Sequence, residues 1–119
     1  MKVYRTYPAI LTRVVDGDTV FLEVDLGFRV FGAFEFRLYG INCPEMNTPE
    51  GKAAKQFTMD WFTQSNVQGE VLVESQKDPE KYGRWLGMIL PRESTTDGSL
   101  NSALMAAGHA KPYFGKGEK

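Results

Sequence analysis

Val20, Leu22, Val24 and Leu26 alternate with Phe21, Glu23 and Asp25, the period-two pattern of a strand with one buried face. The stretch before it, Val3 to Val15, is rich in β-branched and aromatic residues with polar interruptions and reads as a first strand. Asp16-Gly17 joins the two as a tight hairpin, since glycine and aspartate tolerate positive φ. After Leu26-Gly27 the chain turns into a third strand, Val30 to Tyr39, with Phe34, Phe36 and Leu38 on one face and Glu35, Arg37 and Tyr39 on the other. The same alternation that buries the first set points Arg37 away from the core.

The period then changes. Thr48-Pro49-Glu50 is a helix start, with a capping hydroxyl, proline in the first turn and an acid near the positive end of the helix dipole. Ala54, Phe57 and Trp61 follow at helical spacing, with Lys52, Lys55 and Asp60 outside, and the helix is expected to run until Gly69. Val71 to Val73 and Trp85 to Leu90 read as strands four and five, and Pro91 to Gly98 as a polar loop. Leu100, Ala103, Leu104 and Ala107 form a second helical stripe that ends at Gly108. Five short strands with a helix between the third and fourth are compatible with a small Greek-key barrel, and equally with another α+β arrangement.

A chain of 119 residues, 42% hydrophobic, supports one domain with one core, residues 1–119. Fourteen basic residues against 15 acidic give a formal net charge of -1, which argues against broad electrostatic capture of nucleic acid. Any phosphate affinity is therefore local, drawing on Arg37, Lys81, Arg84 and the tail lysines Lys111, Lys116 and Lys119. The single cysteine, Cys43, excludes an intramolecular disulfide. The start Met1-Lys2-Val3-Tyr4-Arg5 lacks the apolar run of a signal peptide and no stretch is long enough to span a bilayer, so the expectation is a soluble chain with no membrane partner, its location cytoplasmic or unknown; a monomer is expected.

Two segments carry the chemistry. Phe36 to Glu45 holds Arg37 and delivers Glu45 just past Pro44, while Asp78 to Arg84 ends in Tyr82-Gly83-Arg84. Upstream, Asp16-Gly17-Asp18-Thr19 adds two carboxylates. Fixed cations beside an acidic cluster suit metal-assisted attack on a phosphodiester: arginines hold phosphate by bidentate hydrogen bonds, carboxylates hold a hard cation, and Glu45 stands where it can activate water. Each motif also has a plainer reading. Asp16-Gly17-Asp18 alone is a hairpin turn, Pro44-Glu45 a loop, and Arg84 a surface arginine.

Taken in order, the motifs resemble the staphylococcal nuclease (thermonuclease) family, whose signature runs strand, D-G-D-T, strand, R-L-x-x-(I/V)-D-x-P-E, helix, strand, K-Y-G-R. The resemblance spans about Val14 to Ala110. It implies an α+β, mainly β domain: a five-stranded OB-fold Greek-key barrel with two packed helices, a scaffold that commonly binds single-stranded nucleic acid. It also implies a metal-dependent endonuclease with one Ca²⁺ ion, held by the side chains of Asp18 and Asn42 and the backbone carbonyl of Cys43, with Asp16 behind them. Glu45 matches the proposed general base, and Arg37 and Arg84 the residues that hold the scissile phosphate. Lys81 and Tyr82 match contacts to the neighbouring phosphate, and Tyr113 lies where the family has tyrosines near the base. The expected activity is hydrolysis of DNA and RNA with low sequence specificity, single strands favoured, leaving 3′-phosphate ends.

Three departures bear on that expectation. Asn42 stands where the family has aspartate, and its amide oxygen brings no charge, so metal binding should be weaker; alternatively Asn42 caps the turn before Pro44 in a protein that has drifted towards binding without catalysis. The loop after Glu45 is short, reaching Thr48-Pro49 almost at once. The chain stops soon after Tyr113 without a terminal helix, and residues 110–119 read as a flexible tail. His109 is expected to be structural. A weakened or inactive nucleic-acid-binding module and a small protein-interaction domain remain as rivals to the nuclease.

Overall fold

The computed structural model describes residues 6–64, 67–77, 84–92 and 98–113. In chain order the elements are β1 (Thr6–Asp16), β2 (Thr19–Asp25), β3 (Phe31–Leu38), β4 (Ile41–Asn42), α1 (Pro49–Phe62), β5 (Glu70–Lys77), β6 (Trp85–Pro91), α2 (Leu100–Ala106) and β7 (Lys111–Pro112). The five longer strands close into a barrel in the order β1-β2-β3-β6-β5, and β4 pairs with β7 in a separate two-stranded ribbon. This is the five-stranded OB-type barrel with two helices. Every barrel pairing is antiparallel except β3 with β6, where Phe36–Leu38 runs beside Trp85–Gly87. Among the described residues no helix is long and apolar enough to cross a membrane.

The alternation along each strand sets the core. Val20, Leu22 and Val24 of β2, Phe36 and Leu38 of β3, Val71 and Val73 of β5 and Ile89 of β6 are buried in one cluster. Trp61 and Phe62 of α1 and Leu100 and Leu104 of α2 join it from outside the barrel. Burying side chains of this kind contributes about 1.5–3 kcal/mol each.

Where the outcome differs from the sequence expectation, the causes are local. α1 ends at Phe62 rather than near Gly69: the Thr63 N–H turns back to the Asp60 carbonyl and the Gln64 N–H to the Trp61 carbonyl, and Gln68 and Gly69 take positive φ on the way into β5. The expected tail is ordered through Tyr113, because Lys111 and Pro112 pair with Asn42 and Ile41 and the Tyr113 N–H donates to the Gly40 carbonyl at 2.8 Å. Residues 114–119, with Lys116 and Lys119, lie outside the described residues.

Gly17 is required for a reason other than φ. It does not take a positive φ; instead, a Cβ there would lie 2.8 Å from the Ala54 Cβ and 3.0 Å from the Cys43 Sγ, so only glycine lets the β1–β2 turn settle onto α1. At the opposite end of β2 the turn into β3 does use positive φ, at Phe28 (57°) and Arg29 (63°) as well as Gly27.

Candidate active site

The β1–β2 register runs to Asp16 opposite Thr19, which leaves Gly17-Asp18 as the turn itself. Three elements fix this turn. Thr58 of α1, fully buried, donates its hydroxyl to the Gly17 carbonyl at 2.7 Å. The Leu38 N–H of β3 donates to the Asp18 carbonyl at 2.9 Å. The Cys43 N–H, just past β4, donates to Asp18 Oδ2 at 2.9 Å, and the Thr19 hydroxyl reaches Oδ1 at 3.3 Å. Asp18 is thereby a buried side chain, 7% exposed, whose two carboxyl oxygens each accept a hydrogen bond. The plainer reading of Asp16-Gly17-Asp18 as a bare hairpin turn does not account for these ties.

Arg37 sits opposite Thr19 in the β2–β3 register. Its Nη2 donates to Asn42 Oδ1 at 2.5 Å and lies 3.5 Å from Asp18 Oδ2, with the side chain only 12% exposed. The ring of Tyr113 covers its guanidinium, 5.2 Å from centre to centroid. Asp18, Arg37, Asn42, Cys43 and Tyr113 are thus brought together from the β1–β2 turn, β3, the β4 segment and the residue after β7. Arg84 precedes β6 immediately, next to the segment that pairs with Phe36–Leu38, and is half-buried. Lys81 and Tyr82 lie outside the described residues.

Glu45 is held by its backbone. Its carbonyl accepts from the Thr48 N–H at 3.1 Å and from the Thr48 hydroxyl at 2.6 Å, while that hydroxyl accepts the Gly51 N–H at 2.9 Å as the N-cap of α1. The short loop is therefore clamped onto the first helical turn. Gly51 makes this possible: a Cβ there would fall 1.8 Å from the Glu45 carbonyl oxygen. The Glu45 residue itself is exposed.

Burial, with Asp18 alongside, raises Asp16 from 3.8 to about 6, so it is partly protonated near neutral pH. Burial, reinforced by Asp18 and Asp16 and opposed by Arg37, pushes the Cys43 thiol up to about 12. Asp18 Oδ2 and Asn42 Oδ1 both lie within 3.5 Å of one arginine nitrogen, so two hard oxygens converge on one place. That donor set fits a hard cation in kind but is poor in charge. Among the described residues no group of three or more His, Cys, Asp or Glu side chains forms a metal cluster.

Gly51, Thr58 and Asn101 had no signal in the sequence pattern. Asn101, buried in α2, receives the Ile89 N–H at 3.1 Å and donates to the Tyr39 carbonyl at 2.9 Å and the Gly87 carbonyl at 3.2 Å, tying α2 to β6 and to the residue after β3. His109 packs its ring 5.1 Å from that of Phe57.

Comparison with known proteins gives two results. Residues 35–119 match the family described as staphylococcal nuclease homologue. The chain is also 37% identical over 118 residues to a thermonuclease of Staphylococcus intermedius, an alignment covering 88% of this chain and 59% of that protein.

Proposed function

Since the chain belongs to the staphylococcal nuclease family, we propose that it is a Ca²⁺-dependent nuclease that hydrolyses phosphodiester bonds of DNA and RNA with low sequence specificity, favouring single strands. The observation that carries this reading is the convergence of Asp18 and Asn42 oxygens on Arg37. A guanidinium has five N–H donors. With Nη2 committed to Asn42 and Asp18, an N–H of Nη1 or of Nε is left to donate to a phosphate oxygen.

In the proposed reaction Glu45 takes a proton from the attacking water, whose oxygen bonds to phosphorus as the P–O5′ bond breaks, so the phosphate stays on the 3′ side. Arg37 and Arg84 donate hydrogen bonds to the phosphoryl oxygens as charge gathers on them, and Arg84 also assists the departing 5′-oxygen. Calcium would be held by the Asp18 carboxylate, the Asn42 amide oxygen and the Cys43 carbonyl, with Asp16 behind them, and when bound it supplies positive charge against the phosphate. The neutral Asn42 and the raised Asp16 make that affinity weak.

The test is incubation of the purified protein with denatured DNA in calcium or in chelator. Fragmentation in calcium only is expected. Intact DNA across a calcium range extending well into millimolar replaces the nuclease with a binding module. Asn42→Asp, followed by calorimetric calcium titration, should tighten binding; equal or weaker affinity removes Asn42 as a ligand.

A further inference from the structure

The guanidinium of Arg37 offers an edge and a face, and both are engaged. The Nη2 edge is anchored by Asn42 and Asp18. The face is covered by Tyr113. The ring and the anchor belong to the same small unit: β7 pairs with β4, setting Lys111 opposite Asn42 and Pro112 opposite Ile41, and the Tyr113 N–H closes the ribbon on Gly40. A neutral amide fixes a guanidinium less firmly than a second carboxylate would, and an aromatic face supplies attraction without neutralising the charge that a phosphate needs.

From this geometry we infer that Tyr113 is a positioning residue for Arg37: its ring holds the guanidinium so that an N–H donor left over by Asn42 and Asp18 faces the scissile phosphate. The inference rests on reading Arg37 as a phosphate ligand. It replaces a base contact for Tyr113 by an action through Arg37, and the two roles separate kinetically. Loss of a base contact weakens binding and raises KM, whereas a mispositioned Arg37 loses transition-state contact and lowers kcat.

The experiment is steady-state cleavage of a single-stranded oligonucleotide in calcium by wild type, Tyr113→Phe, Tyr113→Leu, Arg37→Ala and the Arg37→Ala/Tyr113→Leu double variant. Tyr113→Leu is expected to lower kcat roughly tenfold with KM nearly unchanged, Tyr113→Phe to retain most of kcat, and Tyr113→Leu to add nothing in the Arg37→Ala background. In chelator, the Arg37 Nε–H resonance should shift on Tyr113→Leu as the ring current is lost, a readout that needs no activity. A Tyr113→Leu effect confined to KM, additivity in the double variant, or an unmoved Nε–H resonance overturns the inference alone. Wild-type cleavage by Arg37→Ala overturns the phosphate role of Arg37, and this inference with it.

Discussion

The two ends of β2 are built on opposite terms. At one end, Gly17-Asp18 is held by a helix hydroxyl, a β3 amide and the Cys43 amide, and Asp18 is almost wholly buried. At the other, the Gly27–Val30 turn is closed by its own backbone bonds, Val30 N–H to the Gly27 carbonyl and Leu26 N–H to the Val30 carbonyl, and presents Phe28 fully exposed. Phe28 and Arg29 occupy the left-handed region there with no packing in return. The same hairpin ladder therefore carries a turn specified by tertiary contacts and a turn left to its own strain. Thr58 on α1, well away from the chemistry, helps control the first; among the described residues the second is held by its own backbone and by the Asp25 carboxylate, which accepts the Gly27 N–H at 2.9 Å.

The comparison breaks hardest at the acid-base and phosphate residues. Glu45→Ala and Arg84→Ala should each reduce kcat about 100-fold or more while thermal unfolding stays cooperative. Two folded variants cleaving at the wild-type rate would remove the assigned site.

Gly51→Ala comes next. A methyl group 1.8 Å from the Glu45 carbonyl has to displace the loop, so cleavage should fall roughly 10- to 100-fold and stability by about 1–3 kcal/mol. Kinetics beside denaturant unfolding checks both; normal activity would mean that the backbone clamp does not position Glu45.

Thr58→Val keeps the shape and removes the bond to Gly17, at a cost of about 1–3 kcal/mol for the buried carbonyl left behind. Differential scanning calorimetry should show a lower Tm, and an unchanged Tm would mean that α1 does not hold the turn.

Asp16 gives the packed end a pH signature. Folding raises its pKa from 3.8 to about 6, so the folded chain keeps a proton that the unfolded chain has lost. This contribution is complete below 3.8 and is lost as pH rises through 6. In chelator, Asp16→Asn should therefore gain stability over wild type between pH 4 and pH 7; a gap that does not widen contradicts the burial of Asp16.

The smallest effect belongs to the far end and has the opposite sign. Phe28→Gly relieves a left-handed residue with no packing to lose and should stabilise by about 0.5–1 kcal/mol, with cleavage unchanged. A change in activity would bring that hairpin into the function and dissolve the contrast.

Periodicity made much of this fold legible. Val20, Leu22 and Val24 read as one buried face, Thr48-Pro49 as a helix start and Leu100/Leu104 as a second stripe because each pattern repeats locally. β4 and β7 have two residues each, too few to carry a period, so the ordering of Lys111 and Pro112 was invisible. The ligand candidates Asp18 and Asn42 stood out by motif. Their meeting with Arg37 and the ring of Tyr113 depends on pairings between segments far apart in sequence. Gly17 was legible as a turn glycine but for the wrong reason, since the demand on it comes from Ala54 and Cys43 across the fold.

The packing of Cys43 against Gly17 turns the site into its own clock. A partly buried thiol held protonated to about pH 12 beside the Gly17 turn reacts faster with an alkylating reagent when the turn and α1 part. The rate at which this one sulfur is labelled then tracks local opening around Asp18. Because the cysteine is unique in the chain, that opening can be followed by intact mass alone, with no engineered probe and independently of whether nucleic acid is ever cut.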